Sequence, residues 1–215
     1  MGRRGKLGDK GSRHDAAYKR AKDEGFASRA IYKLEEIDKR FRLLQPGRRV
    51  IDLGCWPGSW MQYAAQRVGD NGFVLGLDKR EVELSLPQNA KAFVADVFAV
   101  EPAALCEKFG DFDVVLSDMA PKTTGDRTTD MFRSEELTRR ALAFATAVLR
   151  PGGHFCAKVF VGGGFKQLLA DVGKSFSEVK PMHPKNTRAG SYEQYIVARG
   201  LKASARTLPS APTDS

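Results

Sequence analysis

Apolar runs of five to eight residues, at 50–54, 73–78, 92–97, 112–118 and 154–161, recur along the middle of the chain. Between them lie stretches with helical spacing of apolar residues, at about 59–68, 101–109, 131–149 and 164–175. An earlier helix is expected to begin near Ser28, a suitable N-cap. It carries Ile31, Leu34, Ile37 and Phe41 on one face and stops before Pro46-Gly47. Two last strands are predicted at 176–182 and 192–199. The segment joining them is too short for a crossover helix, so they should pair antiparallel. Strands alternating with helices predict an α/β fold with a mostly parallel sheet. Residues 26–202 read as one domain. Residues 1–25 lack apolar periodicity and read as a flexible basic arm, and 203–215 as a disordered tail rich in Ser, Pro and Ala. No internal repeat is present.

Charge adds a second pattern. The 215 residues carry a net +9, unevenly spread. Residues 1–50 hold 15 Lys/Arg against 7 Asp/Glu, residues 51–149 hold 10 against 15, and residues 150–202 hold 9 against 3. Basic ends suit a polyanion that loses counterions on binding, and an acidic middle suits a cationic or hydroxyl-rich small ligand. A solvated surface with accidental clustering is the plainer alternative. No apolar stretch approaches the ~20 residues of a membrane span, and the first residues lack the apolar core of a signal peptide. A cytoplasmic protein without membrane contact is expected, a monomer being the simplest case. Cys55, Cys106 and Cys156 form no CxxC pair and stand at no ligand-like spacing from His14, His154 or His183. Reduced thiols and no metal site are expected.

Three motifs carry chemistry. The first is Asp52-Leu53-Gly54-Cys55-Trp56-Pro57-Gly58-Ser59-Trp60, an apolar strand that turns on glycine and opens a helix. Gly54 and Gly58 let backbone approach a ligand. Trp56 stands where the dinucleotide fingerprint needs its second glycine, which disfavours a nicotinamide dehydrogenase. The second is a set of acids at strand ends, where ligands of open α/β sheets sit. Asp78 can accept hydrogen bonds from both ribose hydroxyls of an adenosine, Asp96 falls where the adenine edge would lie, and Asp118 ends the fourth strand. The third is Ser117-Asp118-Met119-Ala120-Pro121 with Ala157-Lys158-Val159-Phe160. A lysine inside an apolar run is costly to bury unless paired. Neighbouring fourth and fifth strands would let Asp118 meet Lys158, whether as a catalytic or a purely structural pair.

Taken together, these residues resemble the FtsJ/RrmJ family of heat-shock ribosomal RNA 2′-O-methyltransferases, in particular its bacterial large-subunit branch. The resemblance runs through Ser28-Arg29-Ala30-Ile31-Tyr32-Lys33-Leu34, Asp52-Leu53-Gly54 with Pro57-Gly58 and Trp60, Ser117–Pro121, Lys158-Val159-Phe160 and Ser191-Tyr192-Glu193-Gln194-Tyr195-Ile196-Val197. It implies a Rossmann-like fold that uses S-adenosylmethionine, with a seven-stranded, mostly parallel sheet and an antiparallel last strand. It also implies a catalytic tetrad of Lys33, Asp118, Lys158 and Glu193, and a cofactor site built from Gly54, Gly58, Trp60, Asp78, Asp96 and Asp118. The implied substrate is a ribose, a uridine by expectation, in 23S ribosomal RNA within the large subunit. Two departures bear on the methionine end of the pocket: Ser59 replaces a second glycine, and Cys55 and Trp56 replace small residues.

Within the tetrad, Lys158 is expected to act as base or hydroxyl-orienting group, with Asp118 as its partner and Lys33 and Glu193 as substrate positioners. A nearby second cation and desolvation both favour a neutral, proton-accepting lysine. Which member removes the proton stays open at this point. So do two other readings: the same chemistry on tRNA, and an RNA-binding module that keeps the fold without catalysis.

Overall fold

The computed structural model describes residues 9–187 and 191–207. The elements run α1 (Asp9–Asp23), α2 (Ile31–Phe41), β1 (Arg49–Leu53), α3 (Ser59–Val68), β2 (Phe73–Asp78), β3 (Ala90–Val94), α4 (Pro102–Phe109), β4 (Phe112–Ser117), α5 (Arg127–Val148), β5 (Leu149–Phe160), α6 (Phe165–Ser175), β6 (Phe176–Met182), β7 (Glu193–Leu201) and a 3-10 turn (Ala203–Ala205). One seven-stranded sheet has the order β3-β2-β1-β4-β5-β7-β6. β7 is antiparallel to both neighbours, β5 and β6, and the remaining pairings are parallel. The expected α/β architecture with a reversed last strand is what forms.

Strand alternation divides the core in two. Val50, Val74, Val114, Leu116, Cys156, Tyr195 and Val197 face α2 and α3. Ile51, Leu53, Leu75, Val115, Phe155, Ala157 and Ile196 face the other way, toward α4, α5 and α6. The predicted stripe on α2 is buried, with Ile31, Leu34 and Ile37 almost inaccessible. Each such side chain contributes ~1.5–3 kcal/mol. Ser28 sits earlier than expected. The N-cap is Ala30, and the Ser28 hydroxyl accepts from the Ala30 N–H at 3.2 Å. The three cysteines are free and buried.

Both chain ends depart from expectation. Residues 9–23 form a helix rather than a flexible arm, and the described end of α1 is anchored. Ala17 and Ala21, four residues apart, pack on the core, with Ala21 buried. Arg20 lies over the Tyr32 ring at 4.4 Å, and the Tyr32 hydroxyl donates to Glu24. Two alanines among charges give almost no apolar signal, yet they let a helix approach closely. Residues 1–8 lie outside the described set. The expected tail, 203–215, is ordered at its start. Arg206 donates to the Leu149 carbonyl at 2.6 Å and pairs with Asp111 at 2.7 Å, and the Thr207 N–H donates to the Thr146 carbonyl. A buried guanidinium needs such partners, and the partners were not visible in sequence. Residues 208–215 lie outside the described set.

The order of strands positions the site. The chain runs outward from β1 through β2 to β3, then returns to place β4 on the other side of β1. Connections on either side of that reversal leave a crevice at the carboxyl ends of β1 and β4.

At the opposite end of β5, His154 accepts from the Gly200 N–H at 3.4 Å. Burial, then the neighbouring Arg48 and to a lesser degree Arg199, outweigh a backbone hydrogen bond at Gly153 and the charge of Asp113 and pull its pKa down to about 4. An unfolded histidine titrates near 6.5, so the unfolded chain takes up this proton first. Stability should therefore fall as the pH drops from about 6.5 to about 4. Urea unfolding of wild type and His154→Gln at pH 7 and pH 4.5 checks this. The variant should lose less stability between the two pH values, and equal losses would place the acid sensitivity elsewhere.

Candidate active site

A cavity of about 720 Å³ opens at the carboxyl ends of the strands. Gly54 and Trp56 from the turn after β1, Asp78 at the end of β2, Asp96 after β3, and Asp118–Pro121 after β4 line it, with Arg133, Glu136 and Leu137 of α5. Gly54 has a φ of 78°, and a Cβ there would stand 2.6 Å from Met119 Cγ and 3.1 Å from Met119 backbone. Only glycine lets the two loops meet at this point.

Asp78 fastens the rim. Its carboxylate accepts from the Trp56 N–H at 3.0 Å and the Arg80 N–H at 2.9 Å. A carboxylate has about four lone-pair sites, so capacity toward the cavity remains. Asp96 accepts from the Phe98 N–H at 3.0 Å and pairs with Lys79 at 2.9 Å. The Lys79 hydrogen bond, then that of Phe98, hold its carboxyl below the usual range.

Beyond Asp118 lies the predicted tetrad. The Lys158 ammonium donates to Asp118 twice, to the carboxylate at 3.0 Å and the backbone carbonyl at 2.5 Å. Lys33 donates to Glu193 at 2.6 Å. The four residues come from α2, the end of β4, β5 and β7, and strand register explains the meeting. Lys158 faces Tyr195 across the β5–β7 pair, and Glu193 lies two residues before Tyr195 on the same face. The Lys158 side chain is only 7 % exposed. Burial alone would raise the Asp118 pKa. The Lys158 and Lys33 charges and the Tyr195 hydrogen bond override it and hold the carboxyl below the ordinary range. From behind, Thr138 on α5 donates to the Lys158 carbonyl at 2.9 Å, and Ser134 accepts from the Phe160 N–H.

Gly58 and Trp60 are not on the cavity wall. Gly58 turns into α3 at a φ of 106° against Val82 and Leu84. Trp60 is 2 % exposed, donates its indole N–H to the Ala30 carbonyl at 2.9 Å, and packs on Tyr195 with centroids 5.7 Å apart. Its ring braces the tetrad from the α2 side. A large indole with one donor is satisfied there by the Ala30 carbonyl at the α2 entrance, which also accepts from the Lys33 N–H at 3.1 Å. The departures at 55, 56 and 59 also find places. Ser59 bonds Ser28 hydroxyl to hydroxyl at 2.8 Å, Cys55 is buried, and Trp56 stands 44 % exposed at the rim with Arg80 stacked at 4.0 Å.

Two residues without an assigned role from sequence emerge. The Tyr195 hydroxyl donates to the Asp118 carboxylate at 2.6 Å. Its period-two relation to Glu193 was the available signal. Asp52 is fully buried, and neither carboxylate oxygen has a hydrogen-bond partner. Burial, then the charges of Asp118 and Asp78, raise its pKa well above the usual range. Asp52 is fully inaccessible and is not on the cavity wall, so its carboxyl, favoured in the neutral form, is a core group behind the Gly54 turn. Among the described residues no cluster of His, Cys, Asp and Glu fits a metal ion.

A sheet of this order, a glycine turn facing strand-end acids and a lysine caged beside the cavity together define a methyltransferase of the Rossmann-like class. The sequence profile of the FtsJ-like methyltransferases matches residues 26–201, and the chain belongs to that family. It is 46 % identical over 183 residues to the ribosomal RNA large subunit methyltransferase E of Desulfatibacillum aliphaticivorans, covering 85 % of this chain and 88 % of the relative. It is 43 % identical over 195 residues to the protein of the same name in Sorangium cellulosum, covering 91 % and 92 %. A Plasmodium falciparum crystal structure assigned as a ribosomal RNA methyltransferase superposes with a TM-score of 0.72 at 25 % identity, covering 82 % of this chain and 98 % of that one.

Tyr195→Phe should keep the ring packing and remove one hydrogen bond to a charged acceptor, at a cost of ~1.5–3 kcal/mol. Denaturant unfolding at neutral pH measures it. An unchanged midpoint would mean that the Asp118 carboxylate does not depend on this hydroxyl.

Proposed function

We propose that the chain transfers a methyl group from S-adenosylmethionine to the 2′-hydroxyl of a ribose, a uridine, in 23S ribosomal RNA of the large subunit in the cytoplasm. The observation that carries this is Lys158, buried and held by Asp118 at the edge of a cavity whose other end is lined by Asp78 and Asp96. The relatives' names point to ribosomal RNA of the large subunit. No helix of the described residues is long and apolar enough to cross a membrane.

The residues fit the cofactor. Asp78 would take the two ribose hydroxyls, Asp96 would meet the adenine edge, and Gly54 and Asp118 would hold the remaining part of the cofactor. When bound, S-adenosylmethionine supplies an electrophilic methyl carbon on a sulfonium. Asp118 puts negative charge beside that cation. Lys158 would orient the attacking 2′-oxygen and, as the neutral amine, accept its proton while the O–C bond forms and the methyl–sulfur bond breaks. Asp118, itself held by the Tyr195 hydroxyl, fixes the direction of the Lys158 side chain, so the geometry is set before substrate arrives. Lys33 and Glu193, locked as a pair, position the ribose.

The basic chain ends support a polyanionic substrate. They are joined on one side of the molecule: the Lys185 N–H donates to Glu36, Arg199 donates to the Phe41 carbonyl, and Lys33 meets Glu193.

Two variants separate the chemistry from the cofactor site. Lys158→Ala should abolish turnover while cofactor affinity, read by calorimetry, stays within a few fold. Lys158→Arg should also be poor, because a guanidinium cannot accept a proton. Asp78→Ala should weaken cofactor binding, each lost hydrogen bond to the carboxylate contributing ~1.5–3 kcal/mol. A normal turnover number in Lys158→Ala, or unchanged affinity in Asp78→Ala, would overturn the corresponding assignment.

A further inference from the structure

Beside the tetrad, on the side away from Asp78, an arginine lies over an aromatic ring, and neither has a role in the chemistry described above. Tyr192 immediately precedes Glu193, and its carbonyl accepts from the Val161 N–H at 2.8 Å. Its ring meets Phe160 edge to face, with centroids 5.0 Å apart and planes at 78°. Phe160 pairs with Glu193 across β5 and β7 and lies two residues beyond Lys158. The ring is thus fixed to the same two strands that carry half of the tetrad. Arg127, the first residue of α5, lies over Tyr192 at 5.0 Å from the ring centroid. That helix start is itself fixed, because the Asp126 carboxylate caps it by accepting from the Thr129 N–H at 2.8 Å. Arg127 is exposed, and among the described residues no carboxylate pairs with it.

We propose that Arg127 and Tyr192 form a nucleobase-stacking site that takes an unpaired base of the RNA strand carrying the target ribose. The site rests on the reading of the chain as an RNA ribose methyltransferase. A guanidinium plane backed by an aromatic ring is a ready surface for a third flat layer. Unstacked RNA bases are held in this way, on aromatic rings and arginine planes. Its position explains its use. A 2′-hydroxyl can be delivered to Lys158 only if the nucleotide is held at two points, and the Lys33–Glu193 pair supplies contact at the ribose alone. A stacked base one residue from Glu193 gives the second point. Lys122 and Arg133, at the nearby cavity wall, carry further positive charge for the phosphates. A bare phosphate contact would need charge without a ring beneath it, and a structural staple would need no exposed face.

The test is steady-state methyl transfer from radiolabelled S-adenosylmethionine to unmethylated large ribosomal subunits, with the subunit concentration varied. Tyr192→Leu and Arg127→Ala should each raise KM for the subunit on the order of tenfold, the size expected for one base stack. The turnover number, KM for the cofactor and the melting temperature should stay near wild type. Tyr192→Phe should behave as wild type, since the ring is kept. Arg127→Lys should be as impaired as Arg127→Ala, because an ammonium keeps the charge and loses the plane. Recovery of wild-type KM by Arg127→Lys would show a phosphate contact and overturn the stacking site. So would an unchanged KM in Tyr192→Leu. A wild-type enzyme that leaves ribose unmodified would instead overturn the functional reading, and this site with it.

Discussion

The Lys158–Asp118 pair is the constraint on which the rest of the structure depends. A lysine 7 % exposed at the end of an apolar strand is costly to keep unless its charge is met at close range. Asp118 meets it with two oxygens, one from the side chain and one from the backbone. That arrangement requires β4 and β5 to be adjacent and parallel, so that the residue after β4 reaches the ammonium on β5. It also requires β7 to run antiparallel beside β5, because only that register sets Tyr195 opposite Lys158. The reversed strand therefore supplies the hydroxyl that holds the Asp118 carboxylate beside Lys158.

Asp118 belongs to two environments at once, and this couples them. One side of it faces the cavity with Asp78 and Asp96, and the other holds Lys158 and accepts from Tyr195. Its charge is maintained by cations that outweigh the effect of burial. Asp52, one strand away and without cationic partners, goes the opposite way. Two acids in the same neighbourhood are thus set to different proton affinities by what surrounds them, a division of labour common where charge must be managed.

Much of this was legible in the residues. Short apolar runs located all seven strands, because a strand buried on both faces of the sheet reads as a continuous apolar run. Gly54, Asp78 and Asp118 marked strand ends, and the spacing of Lys158 within its run pointed to a partner on the neighbouring strand. What escaped notice depended on contacts distant in sequence. The α1 helix docks through Ala17 and Ala21, which carry no hydrophobic signal among so many charges. Arg206 is ordered only because Asp111 and the Leu149 carbonyl wait for it. Trp60 is placed in the cofactor site by the family resemblance alone. Its indole points instead to Ala30 and Tyr195, a choice made by tertiary packing. Asp52 gave no local sign that it would lack partners.

The central claim is that this lysine–aspartate pair directs a methyl group to a ribose oxygen. The measurement closest to it is nucleoside mass spectrometry of large-subunit RNA after incubation of unmethylated subunits with the enzyme and S-adenosylmethionine. The account predicts one new 2′-O-methylated nucleoside, with the added mass on the sugar fragment. Added mass on the base fragment, or no added methyl in any nucleoside, would contradict it.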